Sequence, residues 1–146
     1  MRIRCCRPDD LDPLEWGGEY THDRAIIAQT FARTHDESSL MLVAEVDAEL
    51  VGQVWLDLAR SADVAYLWAL RVKSAWRGGG IGSRLLAAAE QLAIARGFAA
   101  IDLEVEATNQ RARALYDRRG YAVIGSYHGG TRIQMRKRLY ADLSDN

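Results

Sequence analysis

Between Trp76 and Glu90 the chain reads WRGGGIGSRLLAAAE, which places Gly78, Gly79, Gly80 and Gly82 within five positions, directly ahead of an apolar helical pattern. The whole chain has only 12 glycines, so this loop holds a third of them. Glycine loses more backbone entropy on folding than any other residue, so such a cluster marks a place that needs bare backbone. A helix N-terminus offers unpaired N–H groups and the positive end of a dipole, which makes an anion the natural guest. Two common phosphate patterns do not fit. A P-loop needs lysine after its last glycine, and none follows here. The dinucleotide fingerprint G-x-G-x-x-G, counted from Gly78, reaches Ser83 where it needs glycine.

The flanking segments say what kind of fold surrounds the loop. DVAYLWALRV (63–72) is a nearly continuous apolar run and reads as a strand buried on both faces. A helix follows from about Gly80 to Arg96, with Gly97 just past its end. AAIDLEVEA (99–107) sets Ile101, Leu103 and Val105 against Asp102, Glu104 and Glu106, a strand with one acidic face. TNQRARALYDRR (108–119) reads as a helix closed by Gly120. Upstream lie a strand in MRIRCC, a short helix in PDDLDPLEW, a helix in THDRAIIAQTFARTH and a hairpin turning at Asp47-Ala48. Downstream, YAVIGSYHGGTRIQMRKRL reads as a hairpin turning at Gly129-Gly130. The order is β-α-α-β-β-β-α-β-α-β-β. Its middle is an α/β crossover whose ligand mouth lies at the carboxyl end of a strand.

Composition narrows the function. At 146 residues, with 49% hydrophobic and 27% charged residues, the chain is expected to form one globular domain, 1–146. No leader-like opening or apolar run of ~20 residues is present, so no membrane span is expected. Cys5 and Cys6 are neighbours on a strand and point to opposite faces, which speaks against a disulfide framework and for a reducing, cytoplasmic setting. The net charge of −1 hides an asymmetry. Residues 1–50 carry 11 acids and 5 bases, and the remainder 9 acids and 14 bases. An anionic ligand on the later part and a cationic one near the first would suit this division, as would a merely solvated surface. No basic run with interleaved aromatics suggests nucleic acid. His22, His35 and His128 show no metal-ligand spacing, so no metal is expected.

Two longer patterns then stand out. LRVKSAWRGGGIGSRLL resembles the acetyl-CoA motif of the GNAT superfamily of N-acetyltransferases, L-x-V-x-x-x-x-R-G-x-G-[IV]-G, through Leu70, Val72, Arg77, Gly78, Gly80, Ile81 and Gly82. LEVEATNQRARALYDRRGY resembles that family's second half through Leu103, Val105, Asn109, Ala112, Tyr116, Gly120 and Tyr121. LEV is also similar to the ribosomal-protein alanine N-acetyltransferase branch. The resemblance implies an α+β GNAT fold, a mixed and mostly antiparallel sheet of about seven strands with four helices. It also implies acetyl transfer from acetyl-CoA to a primary amine by direct attack in a ternary complex.

By the same resemblance, backbone N–H groups from Gly78 through Gly82, with Ser83 beyond, wrap the pyrophosphate of coenzyme A. Gly79 fills the family's variable position, and Arg77 adds charge or shapes the loop. Leu70 and Val72 lend backbone groups on a bulged strand to the pantetheine arm, and Asn109 steadies it. Tyr116 protonates the departing thiolate; it and Asn109 are two helical turns apart and share a face. Some members carry a catalytic glutamate on the fourth strand, where this chain has Tyr66. In the ribosomal-protein alanine branch the glutamate of LEV on the fifth strand serves as base, so that resemblance implies Glu104 as the candidate, with water as the other. A homodimer is common in the family. A different class, an acyl-CoA-binding module without turnover, stays open at this point.

Overall fold

The computed structural model describes residues 1–139, the surroundings of residues 17, 18 and 21 excepted. Seven strands form one sheet: β1 (Arg2–Cys5), β2 (Ser39–Val46), β3 (Glu49–Asp57), β4 (Val64–Val72), β5 (Ala100–Glu106), β6 (Ala122–Tyr127) and β7 (Arg132–Arg138). Their order across the sheet is β1-β2-β3-β4-β5-β7-β6. Neighbours run antiparallel except β4 and β5, which are parallel and joined by the helical crossover. Three α-helices accompany them among the described residues: α1 (Arg24–Ala32), α2 (Ile81–Ala95) and α3 (Gln110–Arg118). The fourth helical stretch, expected in PDDLDPLEW, takes the form of 3-10 turns at Pro8–Asp10 and Pro13–Gly18. Pro8 and Pro13 stand too close together for one uninterrupted α-helix, since the second would lack an N–H and clash with the preceding turn. No described helix is long and apolar enough to cross a membrane.

The sheet has a core on each face. On one, α2 buries Ile81, Leu85, Leu86, Ala89 and Ala93, the apolar stripe of an amphipathic helix, over Val54, Leu56, Leu67, Ile101 and Leu103. Leu85 and Leu86 are fully buried, and truncating either to alanine would cost about 2–5 kcal/mol. The opposite face packs Leu14 and Ile27 onto Met41, Val43, Leu50 and Trp55. Glu90 is the one buried charge on α2, and it is saturated. It accepts from Arg119 Nη2 at 2.6 Å, Lys137 Nζ at 3.0 Å and the Tyr121 hydroxyl at 3.1 Å. The end of α3 is thereby clamped to α2 and β7.

Strand β4 departs from the expected double burial, and the departure creates the site. Only Ala65 and Leu67 are fully buried; Tyr66, Trp68 and the residues through Val72 are half-buried. The cause is the parting of its neighbour. Pairing with β5 ends at Tyr66↔Asp102, so from there on that edge of β4 has no strand beside it. On its other edge, β4 spends Ala69 and Leu70 against Val54 alone, between the pairs Trp55↔Trp68 and Gln53↔Arg71. This is a β-bulge, with Ala69 held at φ 55°. A left-handed alanine is uncommon, and bulges re-aim the residues that follow.

Candidate active site

The freed edge of β4, the glycine loop and α3 enclose a cavity of about 650 Å³. Leu70 and Val72 line it from the strand; Arg77, Gly78, Gly80, Ile81, Gly82 and Ser83 from the loop and helix start; Asn109 and Tyr116 from α3. Ten of the expected contact residues therefore meet in one place, and Gly79 alone falls outside the lining. Gly78 and Gly80 both sit at φ 85°, Gly80 as the N-cap of α2, so the loop turns in a region L-residues rarely adopt. Gly82 answers a different need. A Cβ there would come within 3.2 Å of Leu115 Cδ2, so this glycine lets α2 and α3 approach.

Three residues carry specific geometry. Arg77 Nε donates to the Val72 carbonyl at 3.0 Å, which ties the loop to the strand end and favours the loop-shaping role. Asn109 is the N-cap of α3, its Oδ1 accepting from the Ala112 amide at 3.1 Å. Only its NH₂ end remains for a ligand. Tyr116 is buried against Tyr121, ring centroids 5.8 Å apart at 63°, and no described group accepts from its hydroxyl. Burial, with a smaller contribution from Tyr66, pushes the Tyr116 phenol up to about 12. It holds its proton at any ordinary pH.

Sequence reasoning missed the second wall. Arg111 and Arg118 line the same cavity from α3, seven residues apart and hence on one helix face. Arg111 Nη2 stands 3.8 Å from the place a Cβ on Gly78 would take. Their spacing, the same that linked Asn109 with Tyr116, was the available signal. Together with Arg77 they make the cavity cationic, whereas Arg71, also in the lining, is paired with Asp23 at 2.9 Å. An elongated anion with phosphate groups fits that lining, with the α2 N-terminus at one end and the unpaired β4 edge along its side.

Glu104 lies elsewhere. It lines a separate cavity of about 220 Å³ on the opposite face, with Arg60, Tyr66, Asp102, Tyr127, Gln134 and Arg136. The acidic face expected of β5 is only partly acidic: Arg136 grips Asp102 through Nε at 2.6 Å and Nη2 at 2.9 Å. Glu104 Oε2 instead accepts from the Tyr66 hydroxyl at 2.8 Å. Tyr116 and Glu104 thus flank the parting of β4 and β5 from opposite faces of the sheet.

The family model described as "Acetyltransferase (GNAT) family" matches residues 7–121. The chain belongs to the GNAT family. Among relatives, the mycothiol acetyltransferase of Clavibacter michiganensis subsp. michiganensis is 38% identical over 86 residues, 59% of this chain and 28% of that protein. The chain therefore spans little more than a quarter of that relative. Two solved structures share the fold. PaiA N-acetyltransferase from Thermoplasma acidophilum, in complex with coenzyme A, superposes with a TM-score of 0.79 at 23% identity, covering 94% of this chain and 99% of that one. The ribosomal-protein-alanine N-acetyltransferase from Brucella melitensis gives 0.79 at 23% identity, again 94% and 99%. The seven-stranded GNAT fold expected from the motifs is the fold observed.

Proposed function

We propose that this GNAT-family chain transfers acetyl from acetyl-CoA to a primary amine, by direct attack of the amine on the thioester. The observation that carries this is the gap between β4 and β5, with a proton donor on one side and a carboxylate on the other. The loop amides, Arg111 and Arg118 hold the phosphates, and the β4 edge beyond Tyr66 pairs with the pantetheine arm like an added strand. A backbone N–H on that edge polarises the thioester carbonyl. The amine nitrogen bonds to the carbonyl carbon as the C–S bond breaks. Glu104 takes a proton from the amine, and Tyr116 gives its own to the sulfur. Neither cysteine takes part: Cys5 and Cys6 lie on or beside β1, at the far end of the strand order.

The free cysteines suit a cytoplasmic setting, and the acceptor is a protein N-terminus, a lysine or a small-molecule amine. A panel of amines, including peptides with varied N-termini, should release coenzyme A thiol with at least one member. Tight acetyl-CoA binding with no thiol release across the panel would instead make the chain a binding module.

A further inference from the structure

Tyr66 and Glu104 meet just past the last backbone rung between β4 and β5. The charged and titratable groups around them come from every neighbouring element, and nearly all are committed elsewhere. From β7, Arg136 holds Asp102 and Arg132 Nη1 reaches Glu106 at 4.0 Å. Gln134 Nε2 reaches Asp102 at 3.4 Å, and its Oε1 accepts from the β6 residue Tyr127 at 2.7 Å. Ahead of β4, Arg60 pairs with Asp57 at 3.3 Å and lays its guanidinium 3.7 Å over the Tyr66 ring. Tyr116 approaches from the other face. Among the described residues Glu104 therefore has no cationic partner, and Tyr66 is its one hydrogen-bond donor.

That arrangement has a chemical consequence. A fixed cation on Glu104 would neutralise it and repel an incoming ammonium. A neutral phenol fixes one oxygen in place and leaves the carboxylate's charge unspent. Burial and the neighbouring carboxylate hold the Tyr66 phenol up to about 12, so it remains a donor throughout the working range. The stacked Arg60 fixes the plane of the ring.

We propose that Tyr66 is the positioning residue of Glu104: its hydroxyl anchors Oε2 so that Oε1 faces the acceptor amine at the parting of the strands. The inference rests on the reading of Glu104 as base. Tyr66 keeps its proton throughout, and the only proton Glu104 gains is the amine's.

The test is the pH profile of kcat/KM for the parent, Glu104→Gln, Tyr66→Phe and the double variant. A peptide α-amine serves as acceptor, its own ionisation near pH ~8 being common to all four. Glu104→Gln should lose the acid limb that belongs to the base. Tyr66→Phe should keep that limb, because Glu104 is still there to take the proton. Its kcat/KM at neutral pH should fall about tenfold, with acetyl-CoA affinity unchanged. The double variant should be no worse than Glu104→Gln alone, since Tyr66 acts only through Glu104. A parental kcat/KM in Tyr66→Phe, or a double variant about tenfold worse than Glu104→Gln, with the limb lost in Glu104→Gln, overturns the positioning role by itself. A limb that survives Glu104→Gln overturns the base reading and the positioning role together. Should the Phe variant not fold, Glu104→Asp withdraws the carboxylate from Tyr66 by one methylene. It should lower kcat/KM likewise with acetyl-CoA affinity unchanged, and a parental kcat/KM there overturns the inference.

Discussion

On the α2–α3 side of the sheet the candidate site is built mostly of backbone and helix ends, whereas on the opposite side it is built of side chains. The first side has a loop turning through two left-handed glycines, a helix N-terminus, a strand edge stripped of its neighbour and an asparagine that doubles as a cap. The second has a carboxylate anchored by one phenol between residues 38 apart in sequence. Backbone cradles suit an invariant ligand, because backbone contacts are fixed by the fold. A cleft of side chains can be altered residue by residue without disturbing the strands, which suits an acceptor that differs among relatives.

The largest effect expected on the backbone-built side comes from its one reactive side chain. Tyr116→Phe keeps the ring against Tyr121 and removes only the proton donor. Turnover should fall by about 10²–10⁴ where thiolate release limits the rate, with acetyl-CoA affinity unchanged. The pH dependence gives a second check. A donor must be protonated to act, and burial holds this phenol up to about 12. The parent should therefore show no loss of kcat from Tyr116 up to pH ~10, where an ordinary phenol would be half ionised. A parental rate in the Phe variant, with chemistry rate-limiting, would leave Tyr116 a packing residue.

The same contrast explains what was legible in the sequence. Gly78 and Gly80 announced themselves because a left-handed turn leaves glycine as the ready choice, and Gly82 because a helix contact excludes a side chain. Asn109 and Tyr116 were legible through the family's second motif, and their helical spacing placed them on one face. The bulge was legible only through the family resemblance, because Ala69 adopts φ 55° without the glycine that usually marks such a turn. The half-burial of β4 was not legible: its apolar run reads as a strand covered on both faces. The Tyr66–Glu104 bond depends on the parallel register of two strands, set by the crossover helix and invisible in either strand alone. Arg111 and Arg118 fell between these cases, correctly spaced but unread.

A smaller effect, in binding rather than rate, tests the backbone cradle itself. Gly80→Glu should weaken acetyl-CoA binding by well over tenfold, more than ~1.4 kcal/mol, as read by calorimetric titration. Two effects contribute: a carboxylate near the phosphates, and a side chain forced to φ 85°. Gly80→Ala separates them, since it carries the strain without the charge and has open space around its Cβ. It should lose about 1 kcal/mol of stability and less affinity than the glutamate variant. Gly79→Ala, at an ordinary φ with its nearest contact at 3.8 Å, should change neither. Equal affinity in all three folded variants would remove the phosphate-loop reading.

The smallest effect concerns Asn109, which sits where structure and ligand binding overlap. Its carbonyl caps α3, so replacement by alanine would confound helix stability with binding. Serine avoids this, because its hydroxyl is about as good an N-cap as asparagine. Asn109→Ser keeps an oxygen for the Ala112 amide but deletes the NH₂ that faces the cavity. One net hydrogen bond of about 1 kcal/mol corresponds to roughly fivefold in affinity. Acetyl-CoA should therefore bind about fivefold more weakly while Tm stays within a degree or two of the parent. A lower Tm with parental affinity would make Asn109 a cap and nothing more. If both hold at parental values, the side-chain amide does not matter to binding, and the pantetheine arm must be held by the β4 edge alone.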